Sequence, residues 1–248
     1  MTMIRSVSVV VPTFNEAAAI RISLARILKF LTTHDISHQV IVSDDGSRDG
    51  TPELVAREFQ DKVLVIRGEH AGKGAAVRAG VAIANRVWVL VCDADLSVPI
   101  ELLLEFANPA QQVPIVIGSK HVPGRGAAYP RLRWFASRIG QALIGILAVQ
   151  GFHDTQCGFK LIRTDVARQL FAIQKLDGFG YDFEILHLAR RWGISVSEVP
   201  VQCMHRVGGS VHIWAYLKTL GEAFTVAGHR VLGTYPSRPP LAVSELTV

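Results

Sequence analysis

The chain has 248 residues, 49% of them hydrophobic, a mean hydropathy of +0.29 and a formal net charge of +5. That length suits one large α/β domain with a C-terminal appendage, and no apolar run approaches the roughly 18 residues of a membrane span. Three scattered cysteines (Cys92, Cys157, Cys203) offer neither a disulfide framework nor metal-ligand spacing, which predicts core thiols in a reducing compartment. The opening apolar run is stopped by Pro12, Asn15 and Glu16, too early for a signal peptide, so the mature protein is expected to begin here.

Ser6 to Val11 is rich in β-branched residues and predicts a first strand, with Pro12-Thr13-Phe14-Asn15-Glu16 as the turn at its end. Leu24, Ile27, Leu28 and Leu31 follow at helical spacing. Gln39 to Ser43 predicts a second strand running into Asp44-Asp45-Gly46-Ser47-Arg48-Asp49-Gly50-Thr51, a loop composition, and Thr51-Pro52 opens the next helix. Val63 to Ile66 reads as a third strand, followed by Gly72-Lys73-Gly74 and an alanine-rich helix. Arg67 and Gly74 stand where a Walker loop needs Gly and Ser or Thr, and the dinucleotide fingerprint is incomplete. Lys73 at a helix start could still touch a phosphate, or be a solvated lysine in a glycine-rich turn.

Val87 to Cys92 is unbroken apolar sequence ending in Asp93-Ala94-Asp95. A run of this kind suits a parallel strand covered on both faces, and ligands of open α/β sheets bind beyond the carboxyl ends of such strands. Two carboxylates there suit a hard divalent cation that shares a substrate's phosphates. A helix-capping turn would use the same residues.

Beyond Pro114, Ile115 to Ser119 predicts a strand ending at the cation Lys120, Gly124 to Pro130 a loop, and Arg131 onward a helix carrying Arg133, Ser137 and Arg138 among apolar residues. No Asp or Glu occurs from Phe106 to His153, which turns this half toward something anionic: nucleic acid, phospholipid or a phosphorylated substrate. Asp154 to Leu161 is read as running directly into a helix through Leu170, Tyr181 to Arg191 as a helix, and Ile194 to Val199 as a strand. A last helix places Ile213, Leu217, Leu220, Phe224 and Val231 on one stripe. Alternation of strands and helices predicts a doubly wound, mostly parallel sheet. The expected organisation is a catalytic domain over 6–212, an amphipathic helix over 213–233 and a disordered tail over 234–248.

Pro12 to Glu16, Asp44 to Thr51, Gly72-Lys73-Gly74 and Asp93-Ala94-Asp95 together resemble the family 2 glycosyltransferases. Asp154-Thr155-Gln156-Cys157-Gly158-Phe159-Lys160 with Gly180-Tyr181-Asp182-x-Glu184 is similar to the branch acting on dolichyl or polyprenyl phosphate, especially its glucosyltransferases and mannosyltransferases. The resemblance implies a GT-A type nucleotide-sugar-binding fold and an inverting, metal-dependent hexosyltransferase. Its donor would be UDP-glucose, with GDP-mannose as the alternative, and its acceptor a polyprenyl phosphate. On the same resemblance Pro12, Phe14, Glu16 and Asp45 hold the nucleoside, Lys73 lies near the nucleotide, and Asp93 and Asp95 bind Mg or Mn. Lys120, Arg133 and Ser137 hold the acceptor phosphate, and Arg206 closes over the donor. Phe14 stands where many relatives have Tyr, Lys120 where many have Arg, and Val211-His212 replaces a lysine-containing continuation after Arg206. The expected location is the cytoplasmic membrane face, bound peripherally, with no nucleic acid partner and a homo-oligomer left open. Two rivals stand beside this reading. An enzyme with a hydroxyl acceptor would need Asp182, Glu184 or Asp154 as base. A silent nucleotide-sugar binding module would keep Asp45 without transfer.

Overall fold

The computed structural model describes residues 4–120, 145, 147–203 and 213–237. Among these, seven strands form one sheet: β1 (Ser6–Thr13), β2 (Ser37–Asp44), β3 (Val63–Arg67), β4 (Trp88–Val91), β5 (Ile115–Ser119), β6 (Lys160–Arg163) and β7 (Val196–Pro200). Their spatial order is β3-β2-β1-β4-β6-β5-β7. The helices around them are α1 (Ala17–Thr33), α2 (Thr51–Phe59), α3 (Lys73–Ile83), α4 (Leu103–Ala110), α5 (Thr164–Ala172), α6 (Tyr181–Arg191) and α7 (Ile213–Val231).

Strands β1 to β4 are parallel, β7 is parallel to β5, and β6 alone runs antiparallel to both its neighbours, β4 and β5. The predicted mostly parallel sheet is therefore present with one reversal. That reversal corrects the reading of Asp154 to Leu161 as leading straight into a helix. Four residues opening on a lysine carry too little periodicity to announce a central strand.

Side-chain alternation sends successive residues of each strand to opposite faces. Val7, Val9 and Val11 of β1 join Ile20, Leu24, Ile27 and Leu31 of α1 in one core. Val10 faces the other core with Val77 and Val81 of α3. Burial on both faces explains the continuous apolar runs.

The register lines up the chemistry. Thr13 is opposite Asp44, Val10 opposite Val91, and both Val91 and Ile117 are opposite Lys160. The C-terminal ends of β1, β2, β4 and β5 and the start of β6 thus share one edge. Phe14, Asp45, Asp93, Lys120 and Lys160 all lie there.

Helix α7 packs into the second core through Ala223 and Val226, while Phe224 and Val231 of the predicted stripe are exposed. The expected disorder from 234 needs correction. Tyr235 is buried, and its hydroxyl donates to Glu184 Oε1 at 2.8 Å, so the chain is pinned at that point. Residues 238–248 lie outside those described.

Candidate active site

Two loops at the ends of β1 and β2 are laced together. Asp44 is committed to the turn: it accepts from Thr13 Oγ1 at 3.0 Å, from Ser47 Oγ at 2.5 Å and from the Gly46 and Ser47 amides. Asn15 Oδ1 accepts the Arg48 amide, Thr51 Oγ1 accepts the Glu16 amide, and Asp49 Oδ2 accepts the Ala17 amide at the start of α1. The acidic loop therefore needs its Asp, Ser and Thr at these spacings to hold the Phe14–Glu16 turn in place. Pro12 is buried in β1, while Phe14 emerges exposed.

Asp45 points into the site instead. Its Oδ1 accepts the Gly72 amide at 2.9 Å and its Oδ2 lies 3.1 Å from His70 Nδ1. The β2 end is thereby tied to the loop before α3. Gly72 has φ +127, and a Cβ there would run into the Asp177 carbonyl. Only glycine permits both the backbone angle and this close approach.

Helix α3 does not present a bare N-terminus to a phosphate. The Gly74 and Ala75 amides donate to the carbonyls of Gly178 and Asp177, each at 3.2 Å. What the helix delivers is the Lys73 side chain. Its ammonium sits 2.6 Å from Asp93 Oδ1 and 5.9 Å from the centroid of the half-exposed Phe179 ring. Burial alone would lower the Lys73 pKa, but the Asp93 and Asp182 carboxylates outweigh it and raise it. Burial would likewise raise the Asp93 carboxyl, and Lys73, with Lys160 and Lys120 behind it, holds it below the ordinary range. Both groups are charged near neutral pH.

The Asp93-to-Ser97 turn is tight. Leu96 donates its amide to Asp93 O at 3.0 Å with φ +49, and its side chain is buried. A leucine in that left-handed region costs on the order of 1–2 kcal/mol. Asp95 Oδ1 accepts the Ser97 amide at 2.9 Å. Gly158 leaves the space that the Asp93 carboxylate occupies, since a Cβ there would strike it. The donor set offered to a cation is two hard carboxylates, and no third His, Cys, Asp or Glu joins them among the described residues. Such a pair fits a divalent ion that takes its remaining ligands from water and from phosphate.

Behind this edge lies an ion pair that sequence reading missed in this form. Lys160 at the start of β6 bonds to Asp182 Oδ1 and to the Cys157 carbonyl, with both charged side chains sealed from solvent. Asp182 is therefore not an available base. Glu184 is fully buried, accepting the Lys175 and Leu176 amides and the Tyr235 hydroxyl. Asp154 is fully buried as well, accepting the Lys120 and Gln156 amides, with Lys120 Nζ 3.7 Å away. All three candidate bases of the hydroxyl-acceptor rival are committed to the scaffold. Burial also pushes the Cys157 thiol up to about 12 and raises Cys92, as expected of core thiols.

The structure thus brings Phe14, Glu16, Asp45, Lys73, Asp93, Asp95 and Lys120 to one sheet edge. Arg133, Ser137 and Arg206 lie outside the described residues. His70 and Lys160 belong to the edge without having been singled out by chemistry. Lys160 stands inside the Asp154–Lys160 motif, and a lone lysine between Phe159 and Leu161-Ile162 is the one sequence signal that marks it.

The glycosyl transferase family 2 model matches residues 8–171. The chain belongs to that family. A dolichyl-phosphate beta-glucosyltransferase of Trichomonas vaginalis is 31% identical to it, covering 93% of this chain and 76% of the relative. The Mus musculus dolichyl-phosphate beta-glucosyltransferase is 32% identical, covering 86% and 72%. Among solved structures, mannosyl-3-phosphoglycerate synthase from Rubrobacter xylanophilus superposes with a TM-score of 0.70 at 17% identity, covering 98% of this chain and 80% of that one. Glucosyl-3-phosphoglycerate synthase from Mycobacterium tuberculosis, solved with Mn2+, UDP-glucose and phosphoglyceric acid, gives 0.64 at 19% identity, covering 90% and 80%. These two share the fold. Within this family 2 glycosyl transferase the matched span holds every strand-end motif from Phe14 to Lys160, while Asp182, Glu184 and α7 fall beyond it.

Proposed function

We propose that this family 2 glycosyl transferase moves glucose from UDP-glucose to dolichyl or polyprenyl phosphate with inversion at the anomeric carbon. The observation that carries the reading is the commitment of Asp154, Asp182 and Glu184 to buried hydrogen bonds and ion pairs. A hydroxyl acceptor needs a base to take its proton, whereas a phosphate acceptor is already anionic near neutral pH. The names of the relatives agree with that acceptor.

In this reaction an acceptor phosphate oxygen attacks the anomeric carbon from the face opposite the leaving group. The new C–O bond forms as the bond to the nucleoside diphosphate breaks, and the diphosphate departs with the electron pair. An α-linked donor then gives a β-linked product. Pro12, Phe14, Glu16 and Asp45 hold the nucleoside, Lys73 stands beside the diphosphate, and Arg206 closes over it. Lys120, Arg133 and Ser137 hold the acceptor phosphate. A divalent Mg or Mn held by Asp95 and Asp93 would neutralise charge on the departing diphosphate. Asp95 is the principal ligand on this reading, since Lys73 already neutralises Asp93.

A lipid-phosphate acceptor calls for work at a membrane surface, which this reading takes to be the cytoplasmic face. No described helix is long and apolar enough to cross one. Helix α7 and the residues after it expose Phe224, Val231 and Leu232 beside exposed Lys218 and Arg230, while Glu222 turns inward to accept the Gly180 amide at 2.7 Å. An apolar face flanked by cations suits a helix lying on an anionic bilayer.

The test is incubation with radiolabelled UDP-glucose, GDP-mannose and a short polyprenyl phosphate, followed by organic extraction and NMR of the product's anomeric proton. Label in the organic phase from UDP-glucose, β-linked, is the expected result. Transfer only to water-soluble hydroxyl acceptors, or an α-linked product, would overturn it.

A further inference from the structure

His70 occupies an uncommon position. Its backbone has φ +54, in the left-handed region that is uncommon outside glycine and that histidine adopts more readily than most residues. Gly46 packs against it so closely that a Cβ there would lie 2.9 Å from the His70 amide nitrogen. The imidazole has two partners. Nδ1 lies 3.1 Å from Asp45 Oδ2 and 3.2 Å from the Asp45 carbonyl oxygen, and the ring stacks on Phe14 with centroids 4.1 Å apart and planes inclined by 18°.

The exposures run against a packing role. The His70 side chain is 61% exposed while the Asp45 side chain beneath it is 9% exposed. The left-handed turn thus presents a flat, mostly solvent-facing ring as the rim over a nearly buried carboxylate. With Gly72 covering Oδ1 from one side and His70 standing at Oδ2, a planar group that reaches Asp45 must lie against the imidazole or take its place on Phe14.

We infer that His70 is a nucleobase-contacting residue of the donor site, adding a second aromatic face to Phe14 and orienting Asp45 toward the N–H of a uracil-like imide. The inference rests on the donor reading above. It assigns a role to a side chain that the strand-end motifs leave out, and it identifies the base, rather than the diphosphate, as what this loop reads. Stacking on an aromatic ring tolerates many bases, whereas a carboxylate acceptor demands a base with an N–H donor facing it. Together the two favour a base that turns a ring N–H to the carboxylate, as uracil and guanine do, over cytosine, which meets a carboxylate only through its exocyclic amine.

Calorimetric titration of the full chain with UDP and with inorganic pyrophosphate, each with Mn2+, separates base from phosphate. His70→Ala should weaken UDP about tenfold, leave pyrophosphate affinity within about twofold, and in the transfer assay place its loss in donor KM rather than kcat. His70→Phe, which restores a stacking ring, should recover most of the UDP affinity. Equal UDP affinity for parent and His70→Ala would overturn the assignment. So would parallel weakening of UDP and pyrophosphate with a lowered Tm, which marks a purely structural loop residue. A parent that binds pyrophosphate but gains nothing from the uridine would instead overturn the nucleotide donor itself, and the His70 role with it.

Discussion

Lys160 and Asp182 meet behind the catalytic edge as an ion pair closed to solvent, their side chains 2% and 4% exposed. The pair joins the first residue of β6 to the first turn of α6, and Asp182 also acts through space on Lys73. Removing one partner strands a buried charge, which costs about 3–5 kcal/mol. Asp182→Asn and Lys160→Met should each lower the denaturant midpoint accordingly. The double variant Lys160→Met/Asp182→Leu should regain most of that stability yet remain poor in transfer, because Lys73 and Asp93 lose the charges around them. Chemical denaturation and initial rates on the three variants test this. A fully active double variant would reduce the pair to packing.

How much of this was legible in the sequence divides along the same line. Local signals carried the strand ends: the apolar run before Asp93, the loop composition from Asp44 to Thr51, and the helical spacing of Leu24, Ile27 and Leu31 each reflect a periodicity that sequence contains. What escaped was set by contacts distant in the chain. Strand β6 is defined by its pairing with β4 and β5, far earlier in the chain, and the Tyr235 hydroxyl meets Glu184, 51 positions before it. His70 carries no local sequence signal, and its contacts with Phe14 and Asp45 arise only from the fold.

The two carboxylates of the β4 end should separate on mutation. Asp95 is half-buried and holds one amide of its own turn, so Asp95→Asn should keep its Tm while kcat falls on the order of a hundredfold, equivalent to roughly 2.7 kcal/mol of barrier. Asp93→Asn removes the partner of Lys73 and should lose both stability and transfer. Thermal melts and Mn2+ titrations of the rate read the difference. Retention of full metal-dependent activity by Asp95→Asn would remove it from the ion site.

His187 supplies a pH dependence of stability. Burial lowers its pKa from the ordinary 6.5, helped by Arg230 and Arg191 and opposed by its Nδ1 bond to the Ala148 carbonyl at 2.9 Å. The Tyr235 ring packs beside it, centroids 5.6 Å apart, and Nε2 is buried with no hydrogen-bond partner among the described residues. The folded state thus binds the proton less readily than the unfolded chain. Its contribution is full above the unfolded value and is lost as pH falls below about 6.5. Tm measured from pH 7.5 to 5 should decline less steeply in His187→Gln than in the parent. Identical slopes would place the acid sensitivity elsewhere.

The acid-free basic segment decides between a lipid phosphate and a soluble acceptor. Lys120 is at the active edge with its ammonium 3.7 Å from the buried Asp154 carboxylate, which fixes the point where the segment leaves β5. If Arg133 joins it on the acceptor phosphate, Arg133→Ala should lose a charge-assisted hydrogen bond worth roughly 1.5–3 kcal/mol, about ten- to a hundredfold in acceptor affinity. Donor KM should barely move. An arginine that only covers apolar surface would, when truncated, change stability or vesicle attachment and leave acceptor kinetics in detergent as they were. The measurement is transfer to a short-chain polyprenyl phosphate in detergent, with donor and acceptor varied separately. Unchanged acceptor KM and kcat would return the segment to a membrane-surface role and leave Lys120 to hold the acceptor phosphate alone.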